Sequence, residues 1–415
     1  MPALAPFRVR SFRFQWPADL ATSWAFEMET LILGWYVLVE SKSVLLFTLF
    51  ASLQYIGTLI APMFGVMGDR IGHRNVLCGM RTAYALLAAM LTALTFSGVL
   101  TPLYVLAITA MTGLVRPSDL GMRAALVAET IPGTQLMGAI SIQRTTLDSA
   151  KIAGALTGAG LVTTLGMGPA YLVVVGLYAI SALLTSRAGG RRSAPPPAAG
   201  PADNPARPSP WHDLREGLAY VWATPHLRAL MCFAFLLNMT AFPLLYGLLP
   251  YVAKEIYHAD QSTLGYMVAI AAFGALLGSI ALSRWGGAIR PARTIIVSCV
   301  LWYALLLAFA QVQHFAGGIL ILLLAGCAQS LGMIPMAMIL LRNSETRFRG
   351  RIMGMRMLAI YGNLPGLLLF GPLVARLGYP VTASLYCAFG LAFTLFIALR
   401  WRAQLWRIAA PANSR

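Results

Sequence analysis

The sequence predicts an all-α polytopic membrane protein, and three observations carry that expectation. Apolar segments of about 20 residues recur from end to end, each long enough to cross a hydrocarbon core about 30 Å thick. Of the 415 residues, 58% are hydrophobic and 11% charged, at a mean hydropathy of +0.72; a soluble domain carries about 25% charged residues. The basic residues are sorted by side: of 31 Lys and Arg, twenty-four fall in the N-terminal tail, alternate loops, the C-terminal tail or the helix ends beside them. Three fall on the opposite side (Lys42, Lys254, Arg376) and four inside predicted helices. This positive-inside pattern places both termini in the cytoplasm and the chain in the cytoplasmic (inner) membrane.

Taken in order, six helices are expected near 17–39, 44–67, 76–98, 102–126, 138–164 and 168–186, behind a cytoplasmic tail of residues 1–16. Six more are expected near 227–252, 262–283, 294–314, 317–341, 352–375 and 379–400, ahead of a basic cytoplasmic tail, 401–415. Outer connections are short, as at Glu40–Ser43 and Gly166–Gly168. The long connection 187–226 separates two six-helix bundles, 17–186 and 227–400. Its residues 190–210 are rich in Pro, Ala and Gly, cannot bury a core, and read as a mobile linker. Residues 211–223 read as an amphipathic helix in the membrane interface, with Trp211, Leu214, Leu218 and Trp222 toward one side. The alternative is an extension of the seventh helix, which Pro225 disfavours.

The halves resemble each other. Asp69-Arg70-Ile71-Gly72 matches Ser283-Arg284-Trp285-Gly286 at an offset of 214, and Leu161-Val162-x-x-Leu165-Gly166 matches Leu373-Val374-x-x-Leu377-Gly378 at 212. Near-equal offsets at equivalent helix ends predict two six-helix pseudo-repeats.

Composition also excludes. The net charge of +17 suits anionic lipid headgroups better than nucleic acid, because it is spread over the loops and tails of one side. The five cysteines (Cys78, Cys232, Cys299, Cys327, Cys387) all fall in apolar segments, without metal or disulfide spacing. The histidines are scattered, so no metal or cofactor is expected. The first apolar segment leads straight into a second without a small-residue cleavage pattern, and no cleavable signal is expected.

Charge inside the bilayer is concentrated in the first half. Helix one carries Glu27 and Glu29; helix four carries Arg116, Asp119 and Arg123; helix five carries Arg144, Asp148 and Lys151. The second half is nearly free of interior charge. Each such group costs about 2.5–3.5 kcal/mol at a helix centre, so these groups must face inward and pair or meet water. One explanation is a static network holding helices four and five together, with Arg123 and Arg144 snorkelling to the cytoplasmic side. The other is a proton relay, since a carboxylate screened from water can hold a proton near neutral pH. Glu27, Glu29, Asp119, Arg116 and Asp148 are its candidates, with Arg116 opposing or releasing Asp119. Glu27 and Glu29 lie about 200° apart on a helical wheel and cannot face one cavity equally.

The segment Gly65-Val66-Met67-Gly68-Asp69-Arg70-Ile71-Gly72-His73-Arg74 resembles the loop between helices two and three of the major facilitator superfamily, with His73 where Arg or Lys is usual. Arg116-Pro117-Ser118-Asp119 followed by Arg123-Ala124-Ala125-Leu126 is similar to helix four of the macrolide-efflux and enterobactin-exporter branch. The segments Asp213-Leu214-Arg215-Glu216-Gly217-Leu218 and Arg349-Gly350-Arg351-Ile352-Met353-Gly354 add to the likeness. The resemblance covers nearly the whole chain and implies twelve transmembrane helices in the major facilitator fold. It also places an acid near Glu27, which favours Glu27 over Glu29 as the coupling acid, and implies a gating latch of Gly65, Asp69, Arg70, Gly72 and Arg74, with Glu129 as partner. The run Gly154-Ala155-Leu156-Thr157-Gly158-Ala159-Gly160 is similar to the glycine motif of antiporters without its proline; close helix packing explains it equally well.

Such transporters bind substrate near mid-membrane. Trp24, Gln54, Tyr55, Asn238, Phe242, Tyr246, Gln329, Met333, Met336, Tyr361 and Asn363 are candidate contacts, aromatic and Met side chains giving an adaptable wall and amides giving orientation. Pro243, Pro335 and Pro365 are candidate bend points. The expected function is proton-driven export of an amphipathic small molecule, drug-like or a siderophore, by a monomer in contact with lipid. Metabolite uptake by symport is the alternative. An enzyme or sensor is disfavoured, because no nucleophile–base pair, metal cluster or effector domain is evident.

Overall fold

The computed structural model describes residues 5–189, 221–285, 291–342 and 359–401, together with Glu216 and Ala219. The expected linker 190–210, most of the amphipathic segment 211–223, the 349–354 motif, Gly286 of the repeat and residues 402–415 lie outside them. The described residues form α-helices with short tight or wide helical turns, and no strand. The chain divides into two compact units: residues 1–42 with 53–208, and residues 43–52 with 209–415.

In chain order the helices are α1 (Arg10–Ser41), α2 (Val44–Leu53), α3 (Ala61–Ile71), α4 (His73–Phe96), α5 (Pro102–Thr130), α6 (Gly133–Leu165) and α7 (Met167–Arg187). Then come α8 (Pro225–Phe242), α9 (Gln261–Trp285), α10 (Pro291–Gln311), α11 (Phe315–Arg342), α12 (Asn363–Leu377) and α13 (Tyr379–Arg400). In the first unit α1 packs against α6 and α7, and α4 against α7. In the second, α11 packs against α9 and α10, and α13 against α10 and α8.

Two elements depart from the expected boundaries. α1 begins at Arg10 rather than near residue 17, because the preceding turns have an apolar face: buried Phe12 packs with Val127, Ile131 and Ala139. The segment expected as one helix over 44–67 is broken, with a 3-10 turn at Ile56–Ile60 between α2 and α3. Pro62 lies in the first turn of α3. It has no N–H to donate back to residue 58, and its ring disfavours helical geometry just before it, so the ladder stops and restarts there. α8 runs on through wide π turns at Pro243–Gly247 and Val252–Ile256, whereas Pro335 lies inside continuous α11.

The internal repeat has a structural counterpart. α6 ends at Gly166 (φ 85°) and α12 at Gly378 (φ 80°). Each N–H bonds back four residues, to Val162 O and Val374 O, at 2.9 Å. The same left-handed stop thus closes the same sequence in both halves, at a φ that favours glycine.

Helix α9 starts with a side-chain cap. Asp260 Oδ1 accepts the Thr263 N–H at 2.9 Å and the Thr263 hydroxyl at 2.6 Å, and these bonds hold its carboxyl below the usual carboxylate range. A lowered folded value means that the stabilisation is complete above the unfolded value and disappears as pH falls through the folded one. Asp260→Ala is therefore expected to cost about 0.5–1 kcal/mol near neutral pH, at the low end of capping effects because the carboxylate is largely exposed. The difference should vanish in acid, as thermal melts of wild type and variant at two pH values would show.

Among the described residues, eight helices are long and apolar enough to cross a membrane: α4, α7, α8 with its extension, and α9 to α13. α1, α5 and α6 fall outside that set, although they are as long. They carry all the interior charges of the first unit but Arg81, and they lead to the site.

Candidate functional site

In the first unit, α1, α4 and α5 hold a four-residue ionic cluster. Asp19 Oδ1 of α1 pairs with Arg81 Nη2 of α4, and Asp119 Oδ2 pairs with Arg123 Nε of α5. The pairs are cross-linked: Arg123 Nε lies 3.7 Å from Asp19 Oδ1, and Arg81 Nε lies 3.9 Å from Asp119 Oδ1. Arg81 and Asp119 are each 0% exposed. Neutral donors and acceptors add to the shell. Gln143 Nε2 donates to Asp19 Oδ2 at 3.1 Å, Arg81 Nη1 donates to Thr185 Oγ1, and Arg123 Nη1 donates to Ser23 Oγ at 2.7 Å. Two acids and two bases cancel, which is the condition for keeping ions in a low-dielectric interior. A cleft lined by Trp16, Asp19, Ser23, Arg123 and Gln143 opens on the cluster.

Two of these four ions were not singled out by the sequence. Arg81 counts among the cytoplasmic-side basic residues by position, yet it lies about two turns inside α4. That depth, and Asp19 inside the first predicted helix, were the available signals. Arg123, expected to snorkel, is buried instead.

Arg116 does not oppose Asp119. Side chains on a helix lean toward its N-terminus, so Arg123 reaches back onto Asp119 while Arg116 reaches away from it. Arg116 Nη1 donates to Thr30 Oγ1 at 3.0 Å and Gln54 Oε1 at 2.7 Å. Its guanidinium lies 4.4 Å from the centre of the Phe26 ring, a cation–π distance. Thr30 Oγ1 also donates to Gln54 Oε1 at 3.2 Å.

The two helix-one acids part company. Glu29, 6% exposed, accepts a 2.6 Å hydrogen bond from the Tyr178 hydroxyl of α7. Tyr178 and Tyr84 both pack on Phe26, at 5.6 and 5.0 Å between ring centres. Tyr178 was not anticipated, because a tyrosine in an apolar helix carries no distinguishing pattern. Glu27 is half-buried and faces α6, where a Cβ on Gly154 would stand 2.7 Å from the Glu27 Cβ and 3.0 Å from Trp24 O. A Cβ on Gly158 would stand 3.1 Å from Met28 Cα. The α6 glycines therefore let α1 press against α6 at the level of its acids. Trp24 Nε1 donates to Thr157 Oγ1 at 2.7 Å across the same contact. Lower on α6, Arg144 Nε lies 3.2 Å from Asp148 Oδ2, with the Arg144 side chain 72% exposed. That is a local pair one turn apart.

At the α3–α4 turn, Gly72 (φ 92°) ends α3 and His73 opens α4. His73 Nδ1 lies 2.6 Å from Glu129 Oε1 at the end of α5. So the residue that departs from the usual loop pattern is the one that meets Glu129. Gly68 makes room for it: a Cβ there would stand 2.7 Å from His73 Cδ2. Arg74 turns to Asn75 Oδ1 at 3.4 Å and runs along Gly189. Arg70 is exposed, Gly65 has open space around it, and the side chain of Asp69 lies outside those described.

In the second unit, the two amides singled out by the sequence find each other. Asn363 Nδ2 donates to Asn238 Oδ1 at 2.8 Å, and Asn238 Nδ2 donates to Ala234 O at 2.8 Å. Tyr246 OH donates to Gln329 Oε1 at 2.8 Å. Phe242 stacks on Tyr246 at 6.3 Å and meets Trp302 edge-on at 5.3 Å. Tyr55 in the first unit, and Met333 and Tyr361 in the second, are half-buried, while Met336 is fully buried and serves the core.

Long apolar helices around a neutralised chain of interior ions define a polytopic membrane protein built to hold charge inside the bilayer. Residues 20–362 match the profile of the Major Facilitator Superfamily. The chain belongs to that superfamily and is a transporter rather than an enzyme. No curated protein sequence matches it significantly. Among solved structures it is similar to the nucleoside transporter NupG, with a TM-score of 0.69 and 15% identity over 94% of this chain and 99% of that one. It is also similar to the POT family transporter PepTSo, with a TM-score of 0.72 and 13% identity over 97% and 99%. A D-xylose-proton symporter matches with a TM-score of 0.66 and 10% identity over 97% and 99%. Identities this low establish the fold.

Proposed function

We propose that the chain is a proton-coupled secondary transporter that exports an amphipathic small molecule, drug-like or a siderophore, by alternating access. The observation that carries this reading is the placement of Glu29. Among the described residues Asp19, Asp119 and Asp148 are engaged in ion pairs, whereas Glu29 is buried against a phenol with no cation in ion-pair reach. A proton gained or lost there changes the net charge of a desolvated region. Such a change biases the equilibrium between two packings, which is what coupling requires. Glu27, on the α6 side of the same helix, is the second candidate, and the Asp19–Arg81–Asp119–Arg123 cluster with Arg116 forms the electrostatic surroundings.

In this reading Trp24, Gln54 and Tyr55, with Asn238, Phe242, Tyr246, Gln329, Met333, Tyr361 and Asn363, are substrate contacts. The α3–α4 turn with Glu129 is the gating latch, with His73 taking the expected place of Arg74. The outward direction is supported by the helix-four resemblance to the macrolide-efflux and enterobactin-exporter branch. The sidedness of the basic residues supports placement in the cytoplasmic membrane with both termini in the cytoplasm, and the reading takes the chain as a monomer. Metabolite uptake by symport is the second reading. Arg116 favours it, since a proton on Glu29 and an anion on Arg116 would travel together.

The test is dissipation of an imposed pH gradient in everted vesicles, across amphipathic drugs and catechol siderophores. Compound-dependent proton efflux is expected in wild type and should be lost in Glu29→Gln, with the variant still folded. Proton movement driven by solute in right-side-out vesicles alone would replace export by symport.

A further inference from the structure

We propose that Arg116 is an anion-binding post, and that the molecule carried is an amphipathic organic anion whose carboxylate or related oxyanion docks on the guanidinium beside Phe26. This rests on the transport reading above and narrows its substrate class.

The argument begins with charge accounting. The two deeply buried guanidiniums of the first unit, Arg81 and Arg123, are consumed by Asp19 and Asp119, whereas Arg116 is half-buried. Arg116 has no carboxylate within ion-pair distance among the described residues. Its two hydrogen bonds both leave from Nη1 and both end on neutral oxygens, Thr30 Oγ1 and Gln54 Oε1. A hydroxyl and an amide orient a cation without neutralising it. The Nε–Nη2 edge makes no hydrogen bond to any described residue, and the side chain is half-buried rather than enclosed. That edge is the side of a guanidinium that takes a carboxylate through two parallel N–H···O bonds.

The surroundings fit such a ligand. Phe26, itself buried between Tyr84 and Tyr178, holds the guanidinium 4.4 Å from its ring centre. Glu29 and the Tyr55, Tyr84 and Tyr178 phenols are within electrostatic reach of Arg116. Yet Glu29, the acid among them, is held by Tyr178 and stays out of the fork. A cation left unpaired at membrane depth is costly, so an entering anion is favoured. A neutral ligand leaves that cost in place, and a cationic ligand adds repulsion.

The experiment is calorimetric titration of the full-length protein in detergent with three probes of one shape: cinnamate, cinnamamide and cinnamylammonium. Cinnamate is expected to bind, with the other two at least about tenfold weaker, the lower end for a hydrogen bond to a charged group. Arg116→Gln should weaken cinnamate by at least about tenfold, and Arg116→Lys by less, since it keeps the charge and loses the fork. Thermal melts confirm that the variants are folded; if Arg116→Gln is not, Arg116→Lys decides through its loss of cinnamate relative to wild type. Equal binding of cinnamamide or cinnamylammonium, unchanged cinnamate binding in a folded position-116 variant, or no cinnamate binding at all would overturn the proposal. Vesicle flux of neutral or cationic compounds alone would sink the anion assignment and leave transport standing. Absence of any flux would remove the transport reading instead.

Discussion

Arg81→Leu is expected to cost about 3–5 kcal/mol and to leave little folded protein, because it strips the shared cation from two buried carboxylates. Asp19 loses its pairing nitrogen, Asp119 loses a neighbour at 3.9 Å, and Thr185 loses its donor. The cluster passes from neutral to one net negative charge. The pair itself need not be worth that much. Removing both partners, as in Asp19→Asn with Arg81→Met, should recover much of the loss, since an apolar replacement of a buried pair is often neutral. Detergent gel filtration and thermal melting of the three proteins check this. A single variant melting with wild type would show that Arg81 is not what holds Asp19 and Asp119 in place.

The second large effect is expected at the α1–α6 contact. Gly154→Val puts a branched side chain where even a Cβ would stand 2.7 Å from Glu27 Cβ and 3.0 Å from the Trp24 carbonyl oxygen. Neither neighbour can yield cheaply, because one is a backbone atom and the other sits one bond from it. The helices must separate, at about 1–3 kcal/mol for an overpacked contact, with loss of the Trp24–Thr157 bond. Gly160→Ala is the matched control. Nothing lies within 4 Å of its Cβ position, and alanine is the better helix former, so that variant should be neutral or slightly more stable. Melting curves for both test the contact, and solute flux in the Gly154 variant tests whether α1 must sit this close to work.

The comparison of these two sites shows what can be read along a chain. The glycine run on α6 is visible in the sequence as a pattern of small residues, and close packing was one of its two readings. Its partner, the Trp24–Met28 stretch of α1, lies over a hundred residues away and leaves no mark on α6 itself. The ionic cluster is harder still. Asp119 and Arg123 are legible as charges in an apolar helix, one turn apart. Arg81 looks like a boundary residue because basic residues are common near cytoplasmic helix ends. The Tyr178–Glu29 bond is invisible, since nothing about either residue names the other. The break at Pro62 is legible, since a proline marks it locally.

The sequence by itself determined that this is a helical membrane transporter of the major facilitator fold, with charge concentrated in its first half. It also marked the repeated helix stop at Gly166 and Gly378. Those properties are local: hydropathy, side preference of basic residues and a glycine at a left-handed turn act over a single helix or loop. The tertiary structure alone decided which charges cancel and which stay available. Asp119 is matched by Arg123 and Arg81, Glu29 by a phenol, Glu129 by His73, and Arg116 by no carboxylate among the described residues. The reason is physical: an ion's cost in a membrane depends on what stands within a few ångströms of it, and those neighbours come from helices distant in the chain.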